Sequence, residues 1–113
     1  MNNRLKIGIT QGDTNGVGWE LILKILSDNR ITELCTPIVY GSSVAASFYE
    51  RTLKEYDRVK FLNTEDVRRV DAGRIYLVEC GPKDLSVTPG KPSKAGGLAA
   101  AQALRRAIKD LNS

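Results

Sequence analysis

Histidine is absent from the 113-residue sequence, and its absence excludes several kinds of chemistry. A Ser-His-Asp triad and a Cys-His pair both use an imidazole as the base, so this chain alone can form neither. A zinc site with histidine ligands is excluded for the same reason. No Asp-x-Asp or Glu-x-x-Glu pair stands at the end of a candidate strand. The residues by themselves therefore show no recognisable catalytic centre.

Cysteine is scarce, and long apolar runs are lacking. Cys35 and Cys80 have no second cysteine nearby and lie in or beside apolar runs, which favours buried, reduced thiols. No apolar run approaches the roughly 20 residues that span a bilayer. Residues 1–10 also lack the cleavage site of a signal peptide. We therefore expect a cytoplasmic protein that makes no membrane contact.

Charge of one sign is not concentrated anywhere, although the net charge is +4 from 17 basic and 13 acidic residues. Acidic residues interrupt most of the basic groups, and no aromatic side chains are interleaved with them. This pattern does not favour nucleic-acid binding. A phosphorylated small molecule suits a mild positive balance equally well.

Short β-branched and aromatic runs alternate with longer amphipathic segments. The strand predictions are residues 6–10, 36–41, 59–63 and 74–80. The helix predictions are residues 17–26, 44–56 and a last helix that starts at Ser93 or Lys94. This alternation predicts an α/β fold with a mostly parallel sheet and flanking helices. We find no internal boundary, so residues 1–113 are interpreted as one α/β segment.

Each predicted helix carries an expectation about its buried face. Residues 17–26 are apolar at nearly every position, which predicts a mostly buried helix with Thr14 or Asn15 as its N-cap. In the second helix, Val44 and Phe48 are expected to face the core. One apolar face of the last helix consists of Ala101, Leu104, Ile108 and Leu111. The small residues of this helix leave room for another element to approach closely. They are Ala99, Ala100, Ala103 and Ala107.

A glycine-rich loop follows the first predicted strand and opens the first helix, with glycines at Gly12, Gly16 and Gly18. In this context backbone N–H groups and the helix dipole can bind phosphate. The loop is not a P-loop, because Val17 to Trp19 stand where Lys and Ser or Thr are needed. Its G-x-x-x-G-x-G spacing also differs from the dinucleotide fingerprint G-x-G-x-x-G. A tight turn and an anion cradle therefore remain equal alternatives.

Asp13 is the acidic residue of this loop. An aspartate in a turn most often hydrogen-bonds its own backbone. As a base or a metal ligand it would need a second group, and no other acid in the loop is placed to help. The residues alone assign no catalytic and no metal-binding residue.

Three blocks of the chain resemble, in order, the N-terminal part of the 4-hydroxythreonine-4-phosphate dehydrogenases. They are KIGITQGDTNGVGWELILKIL, ELCTPIVYGS and GKPSKAGGLAAAQALRRAI. The family's first loop usually reads G-D/E-P-x-G-I-G-P-E, and the matching residues are Gly12, Asp13, Gly16, Val17, Gly18 and Glu20. The chain departs from this pattern at Thr14 and Trp19, where the family often has proline.

The resemblance implies a fold like that of the isocitrate and isopropylmalate dehydrogenases, incomplete in this chain. It implies a dimeric enzyme of pyridoxal phosphate biosynthesis that uses NAD and a divalent metal. Such an enzyme oxidises a phosphorylated hydroxy-amino acid, and decarboxylation follows. The implied cofactor-binding residues are Gly12, Asp13, Gly16 and Gly18, acting through backbone N–H groups. The family's metal-binding histidines and its substrate-binding His-Thr pair lie downstream of the matched region, so we expect an N-terminal fragment that is inactive alone.

Two other interpretations stay open. One is a stand-alone α/β module that binds a phosphorylated small molecule through the Gly12–Gly18 loop. The other is a non-catalytic domain that pairs with another chain through the alanine-rich face of its last helix. A fragment is expected to expose an apolar face that its missing part would cover, and hence to self-associate.

Overall fold

A computed structural model describes residues 5–56, 59–81, 85–91 and 93–112. Its strands are β1 (Leu5–Thr10), β2 (Cys35–Gly41), β3 (Phe61–Asn63) and β4 (Ile75–Glu79). Its helices are α1 (Gly18–Leu26), α2 (Ile31–Leu34), α3 (Ser43–Thr52) and α4 (Lys94–Leu111), and short 3-10 turns occupy Lys54–Tyr56 and Val67–Arg69. All strand pairings are parallel, in the order β1-β2-β4-β3. The predicted α/β fold is confirmed, and its strand boundaries are right to within two residues.

Helices cover both faces of the sheet, with α1 and α3 on one face and α4 on the other. Successive residues of a strand point to opposite faces. Val39 of β2 therefore joins the core beneath α1 and α3, whereas Ile38 and Tyr40 join the core beneath α4. All seven residues of β2 are buried, as expected for a central strand that is covered on both faces.

Helix α1 is amphipathic, so the prediction that most of its surface is buried is wrong. Trp19 and Leu23 are fully buried, but Leu21 and Ile25 are 52% and 56% exposed. The apolar residues of α1 occupy more of the helix surface than the sheet and α3 can cover. The excess apolar residues therefore lie on the surface.

The predicted N-cap of α1 is also wrong. The helix starts at Gly18, its N-cap position is Val17, and no side chain caps it. Asn15 is not free to cap α1, because its side chain bonds residues 88–93 instead. Thr14 has a buried hydroxyl with no hydrogen-bond partner among the described residues.

Small residues form the buried faces of α3 and α4. In α3, Val44 is 44% exposed, contrary to the prediction, while its neighbours Ala45 and Ala46 are buried. In α4, Ala99 and Ala103 are fully buried, whereas the predicted apolar face of larger residues is about half exposed or more. Alanine lets a helix approach its neighbour closely, and here that neighbour is the chain's own core. Ala99 and Ala103 are therefore covered by the chain itself, whereas Ala100 and Ala107 are partly buried.

Strand β1 forms an open edge in the described part of the sheet, since it pairs with β2 and with no other described strand. Leu5 and Ile7 of β1 are 68% and 41% exposed. A groove of 390 Å³ runs beside β1 on the α4 side, where Leu104 and Ile108 are about half exposed. The exposed apolar face that the sequence predicts is present at this edge.

Cys35 and Cys80 are both buried, free thiols, as the sequence predicts. Burial raises the pKa of each thiol, so both stay protonated at neutral pH. Within the described residues, no helix combines the length and the apolar character that crossing a bilayer requires.

Candidate functional site at the carboxyl edge of the sheet

The glycine loop lies at the edge of the sheet where ligands bind in open α/β folds. Because the strands are parallel, their carboxyl ends meet at this one edge. The loop leaves β1 there and leads into α1, whose first N–H groups have no acceptor within the helix. The structure thus brings the predicted residues to this edge, namely Gly12, Asp13, Gly16 and Gly18.

Backbone geometry explains two of the three loop glycines. Gly12 has a φ of +68°, in the left-handed region that favours glycine. A Cβ atom on Gly18 would lie 2.6 Å from the carbonyl oxygen of Gln11, so only glycine fits there. Gly16 donates its N–H to the carbonyl of Asp13 at 3.0 Å, and a Cβ would meet only ordinary contacts. The tight-turn interpretation accounts for Gly12 and Gly18 without a ligand.

Asp13 has a structural role in the loop. Its Oδ1 accepts a hydrogen bond from the N–H of Asn15 at 2.8 Å, as predicted for an aspartate in a turn. The same oxygen lies against Gly96 in the first turn of α4, where a Cβ atom would overlap with it. A carboxylate at this position is favoured by the α4 dipole.

Gln11 is fully buried at the start of the loop and joins three elements. Its Oε1 accepts hydrogen bonds from Nε1 of Trp19 and from the N–H of Ser42, both at 2.9 Å. Its Nε2 donates to the carbonyl of Ala99 at 3.3 Å. Gln11 therefore ties the first turn of α1, the N-cap of α3 and the helix α4 to the end of β1.

Asn15 is almost fully buried and connects the loop to residues 88–93. Its Oδ1 accepts from the N–H of Thr88 at 2.8 Å, and its carbonyl accepts from the N–H of Gly90 at 2.7 Å. Its Nδ2 donates to the carbonyl of Lys91 at 2.8 Å and to Oγ of Ser93 at 3.1 Å. Every polar atom of the side chain is therefore used.

Tyr49 supports the loop from α3. Its hydroxyl donates to the carbonyl of Thr14 at 2.5 Å. Burial, and to a lesser extent the carboxylates of Asp13 and Glu20, raise the pKa of this phenol. The hydroxyl therefore remains a donor at neutral pH.

A small cleft of 190 Å³ opens between the two connected segments, lined by Asp13, Asn15, Gly16, Gly90 and Lys91. Typical pockets for whole small molecules measure about 300–1,000 Å³, so this cleft is too small to enclose a whole ligand. Sequence reasoning selected Asp13 and Gly16 and missed the other three residues. Nothing local in the sequence marks them, because the two segments lie more than 70 residues apart.

The chain is similar in sequence to several dehydrogenases. It is 43% identical over 110 residues to a 4-hydroxythreonine-4-phosphate dehydrogenase of Bacteroides thetaiotaomicron, covering 96% of this chain and 29% of that protein. It is 36% identical to the enzyme of the same name from Aquifex aeolicus, covering 93% of this chain and 31% of that protein. It is 28% identical to a D-threonate 4-phosphate dehydrogenase of Cupriavidus necator, covering 90% and 31%.

The fold is also similar to that of a solved dehydrogenase structure. A crystal structure of a 4-hydroxythreonine-4-phosphate dehydrogenase from Burkholderia phymatum matches with a TM-score of 0.78 at 29% identity, covering 96% of this chain and 33% of that one. No protein-family model matches the chain. The chain spans about a third of the length of the relatives it matches.

Proposed function

We propose a function from the premise that this chain belongs to the 4-hydroxythreonine-4-phosphate dehydrogenase family, whose members it matches over about a third of their length. The chain forms the glycine-loop part of an oxidoreductase. The observation that carries this proposal is the 43% identity to the Bacteroides thetaiotaomicron relative across 96% of the chain. That span includes the loop at the carboxyl edge of the sheet.

The substrate class follows from the names of the relatives. 4-Hydroxythreonine 4-phosphate and D-threonate 4-phosphate are both four-carbon hydroxy acids that carry a phosphate at C4. We propose that the whole protein oxidises a member of this class and uses NAD as the hydride acceptor. A phosphorylated substrate also suits the positive net charge.

Within this enzyme the glycine loop would bind and orient a phosphate-bearing group. The cleft beside Gly16 is large enough for one phosphate group but too small for a complete dinucleotide. The chain would thus contribute one wall of a larger cofactor and substrate site. The charge of Lys91 and the nearby positive end of the α1 dipole are its favourable contributions.

A divalent metal, which the family resemblance also implies, does not fit the residues of this chain. The sequence has no histidine, and no three His, Cys, Asp or Glu residues of the described ranges are grouped closely enough to hold an ion. Asp13 accepts a hydrogen bond from the backbone N–H of Asn15. We assign no step of the reaction to a metal on this chain.

We also propose an oligomeric state, a cellular location and a class of partner for the whole protein. The whole protein would act as a homodimer, in the cytoplasm, on a small molecule rather than on nucleic acid. The open, apolar edge at β1 supports additional packing of polypeptide against this chain.

Enzyme assays of two proteins test the proposal. The 113-residue chain and the chain extended by its downstream coding sequence are each incubated with NAD, a divalent metal and either substrate. We expect NADH to form with the extended protein and not with the 113-residue chain. Turnover by the 113-residue chain alone would contradict the proposal, as would an extended protein that reduces NAD with neither substrate.

A further inference from the structure

The segment 88–91 forms a turn whose type can be read from its sequence, Thr88-Pro89-Gly90-Lys91. The N–H of Lys91 donates to the carbonyl of Thr88 at 3.2 Å, and Gly90 has a φ of +80°. Proline at the second position and a glycine with positive φ at the third are typical of a type II turn. The turn leads within two residues to Ser93, the N-cap of α4.

Asn15 holds this turn at three of its four residues and also holds the helix cap. Its side-chain Oδ1 accepts from the N–H of Thr88, and its Nδ2 donates to the carbonyl of Lys91 and to Oγ of Ser93. Its backbone carbonyl accepts from the N–H of Gly90. An Asn side chain that uses both its oxygen and its amide in this way fixes two chain segments in one relative position. Residues 88–91 belong to no helix or strand that would hold them otherwise.

We propose that Asn15 is the positioning residue of the cleft, because it couples the glycine loop to the turn that carries Lys91. This inference rests on the proposed function of the loop and names the residue that completes its site. A group bound at Gly16 meets Lys91 on the opposite wall only while Asn15 holds the turn in place. Loss of the side-chain bonds would leave the two walls connected by the single backbone bond from Gly90, and would therefore loosen the turn without unfolding the sheet.

The test uses the 113-residue chain with Asn15→Leu, which keeps the side-chain size and removes the side-chain hydrogen bonds without adding charge. The backbone bond from the N–H of Gly90 to the carbonyl of residue 15 remains. Asn29→Leu, at an exposed position after α1, is the matched control. Amide hydrogen exchange is measured by NMR, together with a titration with inorganic phosphate. We expect exchange at Thr88, whose N–H loses its side-chain acceptor, to accelerate about tenfold or more in Asn15→Leu, while exchange at Val39 in the core does not change.

The phosphate titration provides the readout that a purely structural role would not change. In the wild-type chain, the amides of Gly16 and Lys91 should shift with one common midpoint. In Asn15→Leu, the Gly16 shift should remain, at higher phosphate concentration, and the Lys91 shift should disappear. Asn15→Asp, which keeps the acceptor for Thr88, serves as a second variant if the leucine variant does not fold.

Two results would overturn the coupling. One is unchanged exchange at Thr88, and the other is equal acceleration there and at Val39, which would indicate general destabilisation. If neither Gly16 nor Lys91 of the wild-type chain responds to millimolar phosphate, the phosphate-binding function of the loop is wrong. The exchange rates then still decide whether Asn15 couples the two segments, so the two failures are distinguishable.

Discussion

Replacing Gln11 by glutamate should make the stability of the fold depend on pH. The substitution exchanges the Nε2 donor for an oxygen that lies about where Nε2 contacts the carbonyl of Ala99 at 3.3 Å. When the new side chain is protonated, its O–H can donate to that carbonyl, and its other oxygen still accepts from Trp19 and Ser42. All three hydrogen bonds then survive. When it is ionised, a fully buried carboxylate faces a carbonyl oxygen.

The magnitude follows from the burial and the partners of this side chain. Full burial raises the pKa of a carboxyl by up to about 3–5 units, whereas the two N–H donors at its other oxygen lower it. A net rise of about 2 units, from about 4.3 in the unfolded chain to about 6, corresponds to about 3 kcal/mol. Because the folded-state pKa is raised, Gln11→Glu should match the wild type below about pH 4. It should lose stability between about pH 4 and 6, and the deficit should stay constant above that range.

Urea unfolding followed by circular dichroism, at about pH 4 and pH 7, measures this difference. Gln11→Met is the matched control, since it leaves the N–H groups of Trp19 and Ser42 without an acceptor at either pH. It should lose about 3 kcal/mol under both conditions. A Gln11→Glu deficit that is equal at the two pH values, or larger at the lower one, would refute the reasoning.

Four other substitutions test separate parts of the structure. Gly18→Ala should cost about 2 kcal/mol in urea unfolding, because its Cβ would lie 2.6 Å from a backbone oxygen. Gly97→Ala, whose Cβ would meet nothing within 4 Å, should instead stabilise the helix by about 0.5–1 kcal/mol. Thr14→Val should raise the free energy of unfolding by about 1 kcal/mol, since it removes a buried hydroxyl without a partner. Ile7→Lys should weaken self-association in sedimentation experiments, because it charges the open edge.

The outcomes that would contradict these predictions differ from case to case. Equal effects of alanine at Gly18 and Gly97 would show that the loop relaxes around an added methyl group. A loss of stability in Thr14→Val would mean that the hydroxyl has a partner in solution. Unchanged sedimentation of Ile7→Lys would show that any self-association involves a surface other than the β1 edge.

The fold could be predicted in outline because its strands are short β-branched runs separated by helical segments. The buried faces of the helices were harder to predict from hydrophobic periodicity. That periodicity favoured Val44 and Leu104, but the structure buries Ala45 and Ala103 instead. A helix that packs through alanine gains contact by close approach rather than by side-chain size, and a pattern of large apolar residues does not detect this.

The candidate site could be predicted where it depends on local backbone geometry. Gly12 is required by its positive φ, and Gly18 is required by the close approach of the Gln11 backbone. Both constraints are common where a short loop joins a strand to a helix. The roles of Gln11 and Asn15 could not be predicted. Their partners lie up to 88 residues away in sequence, and the local pattern suggested a cap at Asn15 instead.

The bonds of Asn15 also set an order of events in folding. Its partner Lys91 lies 76 residues further along the chain, so the contact closes most of the polypeptide into a loop. During synthesis, the glycine loop leaves the ribosome early but gains these bonds only after residues 88–93 have followed. The first loop of the chain thus reaches its final form only once this later segment is in place. Any ligand that prefers the finished loop would therefore also stabilise the docking of α4.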